Sequence, residues 1–260
     1  MTFPNKIFLI RHGESLANID PNVYEHIPDY RIPLTEKGIN QAKEAGKRIR
    51  EESNGLPFTV YVSPYLRAYQ TLDHLGLDDL IERTIEEPRL REQDWANFQN
   101  PKEIVKQKKL RDVYGHFFYR FENGESGSDV YDRVSGFLET MYRHFTKEQL
   151  HENVLIVTHG LTMRLFCMRY FRWTVEYFES LENPTNAEYR YLEHDKNGHY
   201  TLNQPFKQWL SGVQTNHSVY DTFLDKLKEY GADEKDQALT AALDPIDSSY
   251  FFGNFNTNDL

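Results

Sequence analysis

Cysteine is all but missing from this chain, which has one, Cys167, in 260 residues. An internal disulfide is therefore impossible, a composition that suits a reducing compartment. Long hydrophobic runs are missing too. No stretch approaches the roughly 20 apolar residues that a membrane helix needs. The N-terminal Met1-Thr2-Phe3-Pro4-Asn5-Lys6 lacks the basic and apolar parts of a signal peptide. These absences predict a soluble, cytoplasmic protein with no membrane insertion. They also take the weight from Asn216-His217-Ser218 as a glycosylation sequon. Basic residues are in deficit: 30 Lys and Arg face 40 Asp and Glu, a formal charge of -10. A molecule of that sign is a poor partner for nucleic acid. Any anionic ligand has to be held by a local cluster of arginines against the overall field. There is no internal repeat and no phosphate loop of the GxxxxGK[ST] type.

What is present is organised around Ile7-Phe8-Leu9-Ile10, an apolar run that ends in Arg11-His12-Gly13. Such a run reads as a buried strand of an α/β sheet, and the C-terminal ends of those strands are where ligand sites lie. Far along the chain, Val154-Leu155-Ile156-Val157-Thr158 repeats the design and ends in His159-Gly160. Strands alternate with helices between the two, which predicts a mostly parallel sheet. If these two strands are neighbours, His12 and His159 converge on one point. Arginine beside histidine at such an edge offers a forked cation for phosphate and an imidazole able to attack or to move a proton.

Other segments can be ordered around that edge. Asn18 to Pro33 is irregular and rich in turn formers. Thr35 caps a helix whose Ile39, Ala42, Gly46 and Ile49 follow a helical period. Thr59-Val60-Tyr61-Val62 reads as a strand running into Ser63-Pro64, where serine caps and proline opens a helix. Arg67 then falls in that helix's first turn, an unfavourable place for a cation unless an anion binds there, so it is a candidate phosphate clamp. In Arg91-Glu92-Gln93-Asp94-Trp95 the two carboxylates face one way if the segment is extended. One suits a proton donor and the other suits tying down an arginine. From Lys102 to Tyr114 a helix is expected, with Lys102, Lys106 and Lys109 on a face that is either solvated or a lid over an anionic substrate. Ser126 or Ser128 caps a long helix with Val130, Val134, Phe137, Leu138, Met141 and Phe145 on one stripe, and His144 and His151 read as surface residues. Helices follow from Leu161 to Phe171, with Cys167 in the core, and from Thr174 to Leu181. Tyr189 to Leu192 alternates like an edge strand before the turn at Asp195-Asn197-Gly198. Beyond Tyr200 the pattern weakens, with a helix expected near Tyr220 to Tyr230 and no period from Asp244 to Leu260.

Taken together, Arg11-His12-Gly13, Ser63-Pro64 with Arg67-Ala68 and Gln70-Thr71, Glu92, and Thr158-His159-Gly160 resemble, in order, the motifs of the histidine phosphatase superfamily, which includes cofactor-dependent phosphoglycerate mutases. The match spans roughly Lys6 to Glu193. The strings Arg91-Glu92-Gln93-Asp94-Trp95, Asn97-Phe98-Gln99, and Phe117-Phe118-Tyr119-Arg120-Phe121 with Gly124-Glu125-Ser126 are most similar to plant phosphoglycerate-mutase-like proteins and a fungal broad-range acid phosphatase. Two departures stand out. Gln93-Asp94-Trp95-Ala96 replaces the histidine, tyrosine and glycines that follow the acid in true mutases, and Ala96 stands where the nearer relatives have glycine.

The resemblance implies a three-layer α/β/α sandwich, phosphoglycerate mutase-like, with a mostly parallel central sheet. It implies one domain over residues 1–260, an inserted lid at about 93–126 and a less regular extension at about 200–260. It also implies a metal-independent phosphomonoester hydrolase of the acid phosphatase kind, with no cofactor and a small phosphorylated substrate. Catalysis falls to His12 as nucleophile, Glu92 as acid, and Arg11, Arg67 and His159 as phosphate ligands, with Gly160 and Asn18 at the substrate. Asn18 either touches the phosphate or braces the loop. The alternatives are a mutase-type phosphotransferase and an inactive protein that binds phosphorylated ligands. A metal site on His12 and His159 is disfavoured by the two arginines that would share the pocket.

Overall fold

The computed structural model describes residues 3–96, 100–147, 152–194 and 199–209, all within a compact unit that ends at Ser211. Expectations for 97–99, His151, the turn at 195–198, the sequon, the helix near 220–230 and the tail lie outside these residues.

Among the described residues six strands form one sheet: β1 (Lys6–Arg11), β2 (Phe58–Val62), β3 (Ile81–Glu86), β4 (Asn153–Thr158), β5 (Tyr189–His194) and β6 (Tyr200–Leu202), in the order β3-β2-β4-β1-β5-β6. The first four run parallel, whereas β5 is antiparallel to β1 and β6 to β5. Among the described residues seven α-helices join them: α1 (Leu16–Ile19), α2 (Glu36–Glu52), α3 (Leu66–His74), α4 (Pro101–Tyr114), α5 (Gly127–Lys147), α6 (Gly160–Phe171) and α7 (Val175–Glu179).

The central strands are buried on both faces, and their twofold alternation sorts side chains between two cores. Ile7, Leu9, Val154 and Ile156 pack with Val134, Phe137 and Met141 of α5 and with Met163, Phe166 and Cys167 of α6. Phe8, Ile10, Leu155 and Val157 pack with Ala45 and Ile49 of α2 and Ala68 and Leu72 of α3. The result is the three-layer sandwich. Each such side chain contributes about 1.5–3 kcal/mol by leaving water. Cys167 is fully buried in the first core, and burial pushes its thiol pKa up, so it stays protonated and serves as packing.

Local signals set the helix starts. Thr35 accepts a hydrogen bond from the Gly38 amide and caps α2. At α5 it is Ser126 that exchanges bonds with Asp129, three residues into the helix. Gly46 lets α2 approach α3: a Cβ there would lie 1.8 Å from the Leu75 carbonyl oxygen.

Three expectations change. α3 begins at Leu66 with Tyr65 as its cap residue, because the Ser63 hydroxyl is engaged by His159 at 2.8 Å. β5 is an interior strand, since β6 covers its outer edge. His144 is half-buried and bonds to the Tyr61 hydroxyl at 2.7 Å through Nδ1, so it belongs to the packing of α5 on the sheet.

Candidate active site

Register brings the two histidines together. Arg11 pairs with Thr158 across β1 and β4, so the next residue of each strand emerges at the same edge, and the rings of His12 and His159 lie 5.2 Å apart between centroids. β2 pairs with the other side of β4, which puts Ser63 against His159. The chain after β3 arrives at the same edge, where the Thr158 hydroxyl donates to the Leu90 carbonyl at 2.7 Å and Glu92 enters the site. The cleft so formed holds about 220 Å³ and is lined by Arg11, His12, Asn18, Arg67, Glu92 and Asn183 among others.

His12 is 3% exposed. Its Nδ1 lies 2.7 Å from the Gly13 carbonyl oxygen, which can only accept, so Nδ1 carries the proton and Nε2 keeps its lone pair. Burial, then the charges of Arg67 and Arg11, hold its pKa well below the usual histidine value. The Gly13 amide donates to the Thr71 hydroxyl, which donates to the Arg67 carbonyl, so the His12 loop is tied to the helix that carries Arg67. Gly13 itself has no room for a side chain, since a Cβ would lie 2.4 Å from the Gly38 carbonyl oxygen.

Arg67 is buried and donates through Nη1 to both the carbonyl and the carboxylate of Asp29, at 2.8 and 2.9 Å. Burial works to lower its pKa, but Asp29 and Glu92 outweigh that and the net shift is upward. Arg11 is held by the Pro184 carbonyl at 2.5 Å. Glu92 has its pKa raised: burial and Asp29 push it up against Arg67, the Gln93 amide and Arg11. Glu92 Oε2 lies 3.7 Å from Nδ1 of His159. That nitrogen is buried without a hydrogen-bond partner, and burial followed by the charge of Arg67 lowers the pKa of His159 strongly.

Most of the expected residues thus meet at one edge, with four refinements. Asn18 braces the loop, since its Oδ1 accepts from the amide and hydroxyl of Ser15 and from Asn186 Nδ2, while it also lines the cleft. Neither His159, which is fully buried behind the cleft, nor Gly160 is in the lining. A Cβ at Gly160 would lie 2.3 Å from Asn183 Oδ1, so its role is to admit Asn183, which does line the cleft. Asp94 turns to cap the Ala96 amide at 2.8 Å and leaves Glu92 as the segment's carboxylate in the cleft. Lys102, Lys106 and Lys109 are not in the lining either; α4 contributes Lys108 and Arg111 instead.

Sequence reasoning missed Asp29, the ion partner of Arg67, and Arg133. Arg133 donates to the carbonyls of Arg89, Arg91 and Glu92 and to the Glu125 carboxylate, and so fixes the backbone that presents the acid. Asp29 left a faint signal, a charged residue inside the turn-rich stretch before Pro33. Arg133 left none, being one charge among many on a long helix.

The atoms of His12, Glu92 and His159 that could ligate a cation lie within 4.8 Å of one another. Two guanidinium groups, Arg11 and Arg67, share that space. The arrangement gathers a buried imidazole with a free Nε2, fixed positive charge and a carboxyl biased toward its protonated form, a set able to move a phosphoryl group.

Fold and site therefore define a histidine-based phosphoryl-transfer protein. The chain belongs to the histidine phosphatase superfamily (branch 1), whose profile matches residues 7–204. Among curated relatives, phosphoglycerate mutase-like protein AT74H of Arabidopsis thaliana is 45% identical over 217 residues, covering 76% of this chain and 77% of that one. Broad-range acid phosphatase DET1 of Saccharomyces cerevisiae is 32% identical and covers 79% and 90%. Of solved structures, Bacillus stearothermophilus YhfR superposes with a TM-score of 0.61 at 24% identity, covering 76% of this chain and 95% of that one.

Proposed function

We propose that this chain is a phosphomonoester hydrolase of the broad-range acid phosphatase kind, working through a phosphohistidine on His12 without a metal ion. The observation that carries the reading is the state of His12: a buried neutral imidazole whose Nδ1 is committed to Gly13, leaving Nε2 for phosphorus.

In the first step Nε2 attacks phosphorus in line and the bond to the ester oxygen breaks. Glu92 gives its proton to that oxygen, and the alcohol departs. Arg11, Arg67 and Nδ1 of His159 hold the equatorial oxygens, where negative charge is carried through the transition state. The Ser63 hydroxyl can donate to Nε2 of His159, which leaves the proton of that neutral ring on Nδ1, 3.7 Å from the Glu92 carboxyl. In the second step Glu92, now a carboxylate, takes a proton from water as the water attacks phosphorus. The N–P bond breaks, phosphate leaves, and His12 and Glu92 return to their starting states. Arg11 and Arg67 supply the positive charge that a metal supplies elsewhere and repel a divalent ion from the His12, Glu92 and His159 cluster.

The name and acid phosphatase activity of the yeast relative support hydrolysis. So does Gln93-Asp94-Trp95-Ala96 in place of the residues that follow the acid in mutases. The test is phosphate release from a panel of monoesters across pH, with His12→Ala as control. Turnover that disappears in the variant is the expected outcome. No release from any ester by folded wild-type protein would overturn the reading, and phosphoryl exchange stimulated by a bisphosphoglycerate would replace it with a mutase.

A further inference from the structure

Local rules ask for a different residue at position 65. Tyr65 is the cap residue of α3, where serine, threonine, aspartate or asparagine is favoured because a short side-chain oxygen accepts from a free amide of the first turn. Tyr65 makes no such bond. A position that gives up its cap is expected to gain something elsewhere, and such exceptions gather at functional sites.

We infer that Tyr65 is a positioning residue, whose ring and amide hold Arg67 and His159 in the geometry that the transition state of phosphoryl transfer needs. The inference rests on the phosphatase reading and adds a residue to that same site.

Three contacts carry it. The guanidinium carbon of Arg67 lies 4.8 Å from the centroid of the Tyr65 ring, so an aromatic face supports the cation while Asp29 holds it through Nη1. The His159 ring meets the same tyrosine at 5.1 Å between centroids and 70° between planes, an edge-to-face contact. The Tyr65 amide donates to the Ser63 hydroxyl oxygen at 3.4 Å, which turns that hydroxyl's own proton toward Nε2 of His159, 2.8 Å away. Tyr65 therefore reaches the arginine once and the second histidine twice, through its ring and through Ser63. It is not itself in the lining of the cleft, so it acts through those two side chains. Arg67 belongs to α3 and His159 caps α6. A stiff ring touching both fixes a spacing that neither helix sets alone. Burial, followed by the charge of Asp29, raises the pKa of the phenol, so the ring stays neutral and brings no negative charge beside a phosphoryl group.

The test measures Kd for orthovanadate, a mimic of the transition state, by calorimetry, which needs no turnover. Tyr65→Leu is expected to weaken vanadate by about tenfold, the scale of a cation–π contact away from water. It should lower kcat by about the same factor with KM little changed, as loss of a transition-state interaction does. Tyr65→Phe keeps the ring and should stay within about twofold of wild type in both. Made in Arg67→Ala protein, Tyr65→Leu should cost about threefold or less, because the two side chains act together. A role in packing alone would lower Tm and leave the Kd of folded protein where it was. Tyr65→Met, whose flexible side chain fills gaps, repeats the measurement should Tyr65→Leu fail to fold. Wild-type vanadate affinity in the folded Leu or Met variant, an equal loss in Tyr65→Phe, or a tenfold loss that persists without Arg67 would overturn the inference. The expected ranking of Kd, with no phosphate release by wild type, would sink the phosphatase reading and keep Tyr65 as a positioning residue. Phosphate release with the same Kd in wild type and Tyr65→Leu would do the reverse.

Discussion

His12 shows how much of the chemistry is settled by single contacts. One carbonyl fixes its tautomer, and burial with two guanidiniums holds its pKa well below the usual histidine value. Arg67 is aimed by Asp29, so truncating Arg67 to alanine should lower kcat/KM by about 10²–10³, the usual cost of a lost charge-stabilising donor. A change within twofold would take Arg67 out of the mechanism. Glu92→Gln keeps the shape and loses the proton. Alkyl phosphates, which need an acid for departure, should then slow far more than p-nitrophenyl phosphate, and equal losses would show that Glu92 is not the acid. At this scale the sequence was most legible where function is local. Arg11-His12-Gly13 and His159-Gly160 announce themselves as polar ends of apolar strands. Asp29 was only faintly legible and Arg133 not at all, because a buried, partnered charge has the same letter as a solvated one and only the fold reveals its burial.

At the level of elements, close approaches explain which glycines are fixed. Gly46→Ala would drive a methyl into the Leu75 carbonyl 1.8 Å away, and overpacking of this kind typically costs about 1–3 kcal/mol. Urea unfolding should show a lower midpoint at unchanged slope. The reverse case is Ala96, which sits in the left-handed region at φ 49°. That conformation costs a side chain roughly 1–2 kcal/mol, so Ala96→Gly should leave stability unchanged or raise it slightly, and a clear loss would contradict the strain. Strands β1 and β4 and helices α2, α5 and α6 follow from hydrophobic periodicity, which survives because each buries one continuous face or both. The start of α3 was misplaced since Ser63-Pro64 carries a helix-start signal that tertiary structure overrides: the serine hydroxyl is used by His159. β5 reads as an edge in the sequence because its partner β6 has only three residues, too few to show a period.

Across the whole molecule, the opposed shifts of His12 and Glu92 set the pH behaviour. His12 titrates well below 6.5 and Glu92 above 4.5, so kcat/KM should hold through mild acid, fall on the alkaline side as Glu92 ionises, and fall on the acid side only when His12 protonates. Stability follows the same groups. His12 and His159 have depressed folded pKa values, so their contribution is present above about 6.5 and is lost as pH falls, by roughly 1.4 kcal/mol per group for each pH unit. Glu92, raised in the fold, works in the opposite sense and loses its contribution as pH rises through its folded pKa. A Tm that drops between pH 7 and 5 would bear out the histidine effect, and a constant one would contradict it. The most direct test of the phosphohistidine itself is to quench the protein during turnover of a ³²P-labelled ester and map the bound label. An acid-labile, base-stable phosphoryl group on His12, absent from His12→Ala, is the predicted result; turnover without any labelled protein, or label retained in His12→Ala, would contradict it.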